Sequence, residues 1–91
     1  MRGFKVVCKS DKGEEALLED LNTNKYVFSV HHVKQKPFIE IDFLFRRTPS
    51  GKFFKSNMSR VPEDDLFKHL SEKLEEHGAM REKDFEIEVI K

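Results

Sequence analysis

The sequence predicts an α+β domain, in which a small, mostly antiparallel sheet has one long helix packed on one face. Three observations predict this class. Several short segments alternate apolar and polar residues, which is the period of a half-buried strand. One later stretch, residues 62–77, repeats its apolar residues at helical spacing instead. The 91 residues contain no repeat and no linker, so we expect a single domain over residues 1–91.

The chain begins with a predicted strand. The segment GFKVVCK alternates Phe4, Val6 and Cys8 with lysines, and the turn residues SDKG follow it. The next stretch, residues 14–21, supports two interpretations. Its leucines have helical spacing, which favours a short helix, whereas the following LNTNKY resembles a hairpin turn and favours a strand.

The middle of the chain predicts three strands. Residues 25–33, KYVFSVHHV, are rich in β-branched and aromatic residues, and KQKP ends this segment. FIEIDFLFR then has the clearest alternation in the chain. Pro and Gly stand at the second and fourth positions of TPSG, a type I turn pattern, and KFFKS follows as the partner strand. Residues 38–56 therefore predict a β-hairpin.

A long helix and a final strand are predicted for the last third. Pro62 suits the first position of a helix, where a missing N–H is tolerated, and Gly78 suits a left-handed stop. DFEIEVIK alternates as a strand. The nearest common architecture for this order is a ferredoxin-like split βαβ fold with a decorating β-hairpin. If residues 14–21 form a strand, the fold becomes an antiparallel meander with one helix across it.

Periodicity also predicts the core. Residues on the apolar faces of the predicted strands and helix should be buried together. They are Val6, Val30, Ile39, Ile41, Phe43, Phe45, Leu66, Leu70, Leu74, Phe85, Ile87 and Val89.

Composition favours a folded domain with a phenylalanine-rich core and a charged surface. Charged residues make up 37% of the chain and aromatic residues 11%, with nine Phe and no Trp. The one cysteine cannot form an internal disulfide, so nothing indicates an oxidising compartment. No apolar run approaches the roughly 18 residues of a membrane span, and the first residues lack a signal peptide's apolar stretch. We therefore expect a cytoplasmic protein without membrane contact.

The zero net charge conceals a gradient along the chain. Residues 31–60 contain seven basic and two acidic side chains, whereas residues 61–91 contain five basic and ten acidic ones. Such a distribution predicts an electrostatically polarised molecule.

No motif indicates catalysis, a cofactor or a metal. His31 and His32 are adjacent on a predicted strand, so their side chains should point to opposite faces and cannot chelate one ion together. Cys8 lies on an apolar face, where a buried and inert thiol is expected. Carboxylate pairs are frequent but match solvated faces of amphipathic elements. We therefore expect a protein that is not an enzyme and carries no cofactor and no metal.

The hairpin is the one segment that predicts a contact surface. If Arg47 pairs with Lys52, then Arg46 lies beside Phe53 on the face away from the core, close to Lys55. An aromatic side chain among cations can stack on a nucleic-acid base, and it can equally form a protein-binding hot spot. The alternative is that Phe53 covers a second small apolar cluster.

The expected function is that of a small, non-enzymatic binding or regulatory domain that contacts a protein partner or a second copy. Phe38, Leu44 and Phe53 would need cover if the helix occupies only one sheet face. A nucleic-acid-binding module using the basic 34–60 segment is the alternative. The predicted contact residues are Lys34, Lys36, Phe38, Leu44, Arg46, Arg47, Lys52, Phe53, Lys55 and Arg60.

Overall fold

The computed structural model describes residues 2–23, 30–49, 51–56, 59–62 and 65–91, with backbone only for the strands of 46–62. Two helices and seven strands lie in these ranges. In chain order they are β1 Gly3–Cys8, α1 Asp11–Thr23, β2 Val30–Lys34, β3 Glu40–Leu44, β4 Arg46–Thr48, β5 Gly51–Ser56, β6 Ser59–Pro62, α2 Leu66–Glu76 and β7 Phe85–Ile90.

The main sheet has four strands in the order β2-β3-β1-β7, and every neighbouring pair is antiparallel. The buried side chains of α1 and α2 join those of β1, β3 and β7 in one cluster, so both helices pack on the same face of this sheet. The α+β class is thus confirmed. The ferredoxin-like description stays a prediction, with which the position of β1 between β3 and β7 agrees.

The central strand β1 bonds alternately to its two neighbours. The Cys8 N–H donates to the Ile39 carbonyl at 3.1 Å, on the β3 side. The next residue, Lys9, donates its N–H to the Asp84 carbonyl at 2.8 Å, on the β7 side. In an antiparallel ladder this alternation continues, so odd-numbered residues of β1 pair their backbone groups with β7.

The core lies between the sheet and the helices, as periodicity predicts for most residues. Eleven of the twelve predicted core residues are buried or packed against the core, and Ile87 is one of the half-buried members. Val89 is the exception, because 53% of its surface is exposed. It lies near the end of β7, the last strand of the sheet, where the helices cover the strand only in part.

Residues 14–21 belong to a helix, so the ambiguity between helix and strand is resolved. Ser10 caps the N-terminus of α1, since its hydroxyl accepts the Gly13 N–H at 3.1 Å. Leu17 is fully buried against the sheet, whereas Leu18 remains 46% exposed. This one-sided burial is what helical spacing of the leucines produces.

The predicted hairpin is confirmed at its tip only, because residues 40–44 of its predicted first arm pair with β1 and β2 in the main sheet. β4 pairs with β5, with Arg47 opposite Lys52, and β5 then pairs with β6 to form a separate three-stranded sheet. Pro62 was placed at the start of a helix over 62–77, but it lies in β6 opposite Phe53. An edge strand tolerates proline because one side of its backbone has no strand to bond.

The helix α2 therefore begins at Leu66 and is shorter than predicted, and α1 is the longer of the two helices. The C-terminal end of α2 lies where the sequence predicts it, at Gly78. Gly78 has a φ of +91°, the Ala79 N–H donates to the Leu74 carbonyl, and the Gly78 N–H donates to the Glu75 carbonyl. These bonds form a Schellman motif. Within the described residues, neither helix has the length and hydropathy that a membrane span requires.

Candidate protein-binding face of the sheet

The face of the four-stranded sheet opposite the helices is the candidate site. Phe4, Val6 and Cys8 are buried on the helix side of β1, so Lys5 and Val7 point to the opposite face. The same alternation, with the registers of the neighbouring strands, assigns the side chains of this face. They form three rows that run across the sheet, and the rows differ in chemistry.

The middle row is charged. Lys5 is opposite Asp42 on one side and opposite Glu88 on the other, and Asp42 is in turn opposite His31. Oppositely charged neighbours on adjacent strands stabilise a sheet modestly. One atom in this row lacks a hydrogen-bond partner. Asp42 Oδ1 is screened from solvent and accepts no hydrogen bond from any described residue.

A second row lies towards the start of β3. Lys34 Nζ is 3.6 Å from Glu40 Oε2, and the Glu40 side chain is only 19% exposed. Val7 separates Glu40 from Glu86. Lys9 approaches Glu86 at 3.7 Å, between side chains that are both nearly half exposed. These contacts already pair the two lysines of the row with carboxylates.

The third row is apolar. Leu44 and Ile90 are the Cα partners of Gly3 on its two sides, and both are half-buried. A Cβ atom on Gly3 would collide with the Phe43 carbonyl oxygen, so the close approach of β1 and β3 requires glycine there. Gly3 is itself buried between these two strands, so the row presents Leu44 and Ile90 as its apolar side chains.

The predicted contact residues in β2 and β3 are only partly brought together. Lys34 and Lys36 are exposed, but the Lys34 ammonium is paired with Glu40. Phe38 was expected on the uncovered face, and this is wrong: it packs against the main core. It precedes β3, so the alternation of that strand does not extend to it. Leu44 does lie on the face opposite the helices.

The remaining predicted contact residues lie in the second sheet, where only the backbone is described. The register places Arg46 opposite Phe53 and Arg47 opposite Lys52, as predicted. It also places Lys55 opposite Arg60, a pair that the sequence did not indicate. The side chains of these residues are outside the described part of the chain, so their role as contacts stays a prediction.

The histidines and the cysteine that the sequence analysis considered are separated in the structure. No three His, Cys, Asp or Glu side chains among them converge on one point. His31 is opposite Asp42 and His32 is opposite Ile41, so the two imidazoles lie on opposite faces. Burial, reinforced by the nearby carboxylates of Glu14 and Glu40, raises the pKa of the Cys8 thiol to about 12. Such a thiol is not a nucleophile at neutral pH.

Most residues of this face were not predicted as contacts, and three of them show why. Ile90 could have been found, because the alternation that places Glu86 and Glu88 outward also places Ile90 there. Gly3 and Asp42 acquire their roles only from strand register, which no local pattern reveals.

No protein-family model, no curated protein and no solved structure matches this chain.

Proposed function

We propose that this domain is a small, non-enzymatic binding or regulatory module that contacts a protein, either a partner or a second copy, through the sheet face opposite the helices. The observation that carries the proposal is the apolar row of Leu44, Gly3 and Ile90. It lies on a face that neither helix covers, and it brings two half-buried apolar side chains to that face.

The surroundings of this row support a protein partner. Interface hot spots are commonly apolar pockets surrounded by polar groups. Here Lys5, Asp42 and Glu88 provide the polar groups directly beside the apolar row. The carboxylates of Asp42 and Glu88 beside the row favour a partner that supplies an Arg or Lys side chain next to its apolar side chain.

The hairpin begins close to the apolar row. Leu44 ends β3, and Arg46 begins β4 shortly afterwards. A partner seated on the apolar row would therefore come close to the hairpin, which the sequence predicts as the centre of the contact. A role for Arg46 and Phe53 in this contact is part of the proposal.

The first experiment uses Leu44→Lys, with Leu18→Lys as the matched control on the exposed side of α1. Sedimentation of the wild-type protein decides whether it self-associates. If it does, Leu44→Lys should yield monomer and Leu18→Lys should not. If the wild type is a monomer, cross-linking in an extract of its source cells should capture a stoichiometric partner that Leu44→Lys loses and Leu18→Lys retains.

Folding is checked by thermal denaturation, and Leu44→Ala serves as a milder variant if Leu44→Lys is destabilised. A monomeric wild type whose cross-linked products are the same for all three proteins contradicts the proposal.

A second candidate function, nucleic-acid binding, is favoured by the register of the three-stranded sheet. Arg47 is directly opposite Lys52, and Lys55 is directly opposite Arg60. Like charges in opposed positions are unfavourable, and bound phosphates would relieve them. The described main-sheet face argues against this function, since its four carboxylates outnumber its three lysines.

Titration of labelled single-stranded and duplex oligonucleotides at two salt concentrations separates the two functions. If five to seven cations contact duplex phosphates, the log–log slope should be roughly −4 to −6, and Arg46→Ala or Lys55→Ala should each flatten it by about one unit. Phe53→Ala should weaken single-strand binding without changing the slope. Absence of binding at low salt rejects the nucleic-acid function and leaves the protein partner.

A further inference from the structure

The strand β7 is an edge of the main sheet, and its outward backbone groups are available. Since Lys9 pairs with Asp84, the alternation along the ladder makes Glu86 and Glu88 bond inward to β1. The N–H and carbonyl groups of Ile87 and Val89 therefore point away from the sheet. No described residue lies beyond β7 as a further strand.

The available outward groups begin at Ile87, because the outward carbonyl of Phe85 is already bonded to the segment that precedes β7. Phe85 accepts a 2.7 Å hydrogen bond from the Glu82 N–H. The four groups of Ile87 and Val89 are consequently the part of the edge that an added strand can pair with. An extended segment that pairs with them would continue the sheet, which is a recurrent mode of peptide recognition.

The side chains along this edge alternate between two chemistries. Glu86 and Glu88 lie on the face opposite the helices, and Glu88 is exposed. Ile87 and Val89 lie on the helix side, where Val89 is 53% exposed. Side chains of directly opposed residues in an added strand lie about 5 Å away, within reach of these groups. The edge thus presents carboxylates on one face and apolar side chains on the other.

We propose that the free edge of β7 binds an extended segment of a partner protein in which Lys or Arg alternates with Val, Ile or Leu. The backbone of the segment pairs with Ile87 and Val89, its cations face Glu86 and Glu88, and its apolar side chains cover Val89. This inference rests on the proposed protein-binding function and names the chemistry of a partner, but it assigns the contact to the edge of the sheet instead of its face.

Charge argues against a second copy at this edge. If two β7 strands paired antiparallel, Glu86 and Glu88 of one copy would lie beside the same residues of the other, and like charges in opposed positions are unfavourable. The basic edge strand β2 is a poor alternative, because its register shifts between His32 and Lys34. Such a bulge interrupts regular pairing. A basic segment of another protein avoids both difficulties.

The probe is a fluorescent, end-capped eight-residue peptide that alternates Lys and Val, with binding measured by fluorescence anisotropy. A peptide that alternates Glu and Val controls for charge. A Lys-Val peptide with every backbone amide N-methylated controls for strand pairing, because neither of its edges can donate hydrogen bonds to the ladder. We expect binding of the first peptide only.

Val89→Pro tests the backbone contact directly. The Val89 N–H points outward, so proline removes a donor from the edge without breaking the ladder to β1. Val89→Ala is the matched control, since it shortens the same side chain and keeps the N–H. Val89→Pro should weaken the peptide about five- to tenfold relative to Val89→Ala, which corresponds to one lost hydrogen bond.

Two further measurements locate the peptide. Its binding should slow hydrogen exchange of the Ile87 and Val89 amides and leave the inward amides of Glu86 and Glu88 unchanged. The double variant Glu86→Lys with Glu88→Lys should reverse the preference, so that the Glu-Val peptide binds and the Lys-Val peptide does not.

The outcomes separate this inference from the proposed function. If no peptide binds, or if Val89→Pro and Val89→Ala bind equally well, the edge inference is overturned. The proposed function is unaffected, because Leu44→Lys tests it independently. If Leu44→Lys abolishes peptide binding and Val89→Pro does not, the segment sits on the sheet face, and the edge inference is again overturned. A wild-type dimer that Val89→Pro dissociates would identify a second copy as the occupant and overturn it too.

Discussion

The Ser10 hydroxyl donates a 2.7 Å hydrogen bond to Asp84 Oδ1, and so joins two residues that are 74 positions apart. The same hydroxyl accepts the Gly13 N–H, and the other carboxylate oxygen of Asp84 accepts the Met80 N–H at 2.8 Å. One buried carboxylate thus ties the start of α1 to the segment that leads into β7. This link joins the turn that follows β1 to the turn that precedes β7.

Asp84 should make the stability of the fold depend on acidic pH. Hydrogen bonds from the Ser10 hydroxyl and the Met80 N–H lower the pKa of Asp84 below its ordinary value of 3.8. Its stabilising contribution is therefore complete above 3.8 and is lost as the pH falls through the lower folded-state pKa. Chemical denaturation should find Asp84→Asn less stable than wild type at neutral pH, with the difference shrinking towards pH 2. A difference that stays constant over this range contradicts the assignment.

Gly13→Ala should destabilise the protein although it raises helix propensity. An added Cβ would collide with the Asp84 carbonyl oxygen, which is backbone and cannot rotate away. We expect a loss of about 1–3 kcal/mol in the free energy of unfolding, as for other overpacked sites. Glu15→Ala, an exposed position of the same helix, is the control and should be within about 0.5 kcal/mol of wild type.

Phe43→Ala and Val89→Ala should differ sharply, although periodicity predicts both residues in the core. Phe43 is fully buried, and its truncation should cost about 3–5 kcal/mol in urea denaturation. Val89 is half exposed, and its truncation should cost less than about 1 kcal/mol. Equal losses at the two positions would mean that β7 does not form an edge.

His69 should add a second pH dependence near neutrality. Burial lowers the pKa of His69 below its ordinary value of 6.5, and the Asp20 carboxylate partly offsets this effect. Stability is then highest above 6.5 and falls as the pH drops towards the folded-state pKa, because the unfolded chain takes up the proton first. NMR titration should place the His69 transition below 6.5, and Asp20→Asn should move it lower still.

Cys8 should resist thiol reagents while the protein is folded. A thiol with a pKa of about 12 carries almost no thiolate at pH 8, and only 5% of the residue is exposed. Ellman's reagent should react slowly with the native protein and rapidly in denaturant. Rapid reaction of the native protein would contradict the burial of β1 against the helices.

Local periodicity accounts for much of this fold. The alternation of Phe4, Val6 and Cys8 predicts β1 and its buried face, and the Pro and Gly of TPSG predict the turn between β4 and β5. These features depend on neighbouring residues along one chain segment, which a sequence displays directly. The prediction that a helix starts at Pro62 is wrong, because the restricted backbone of proline suits both the first turn of a helix and an edge strand.

The sequence by itself determined the α+β class, the period of most strands, the buried thiol and the stop at Gly78. Tertiary structure alone decided that residues 14–21 are a helix, since only the sheet beneath them rewards burial of Leu17. It also decided the candidate site, because strand register brings Gly3 between Leu44 and Ile90 across long sequence separations. The exposure of Val89 also depends on tertiary structure, because the position of β7 at the edge is set by the order of all four strands in the sheet.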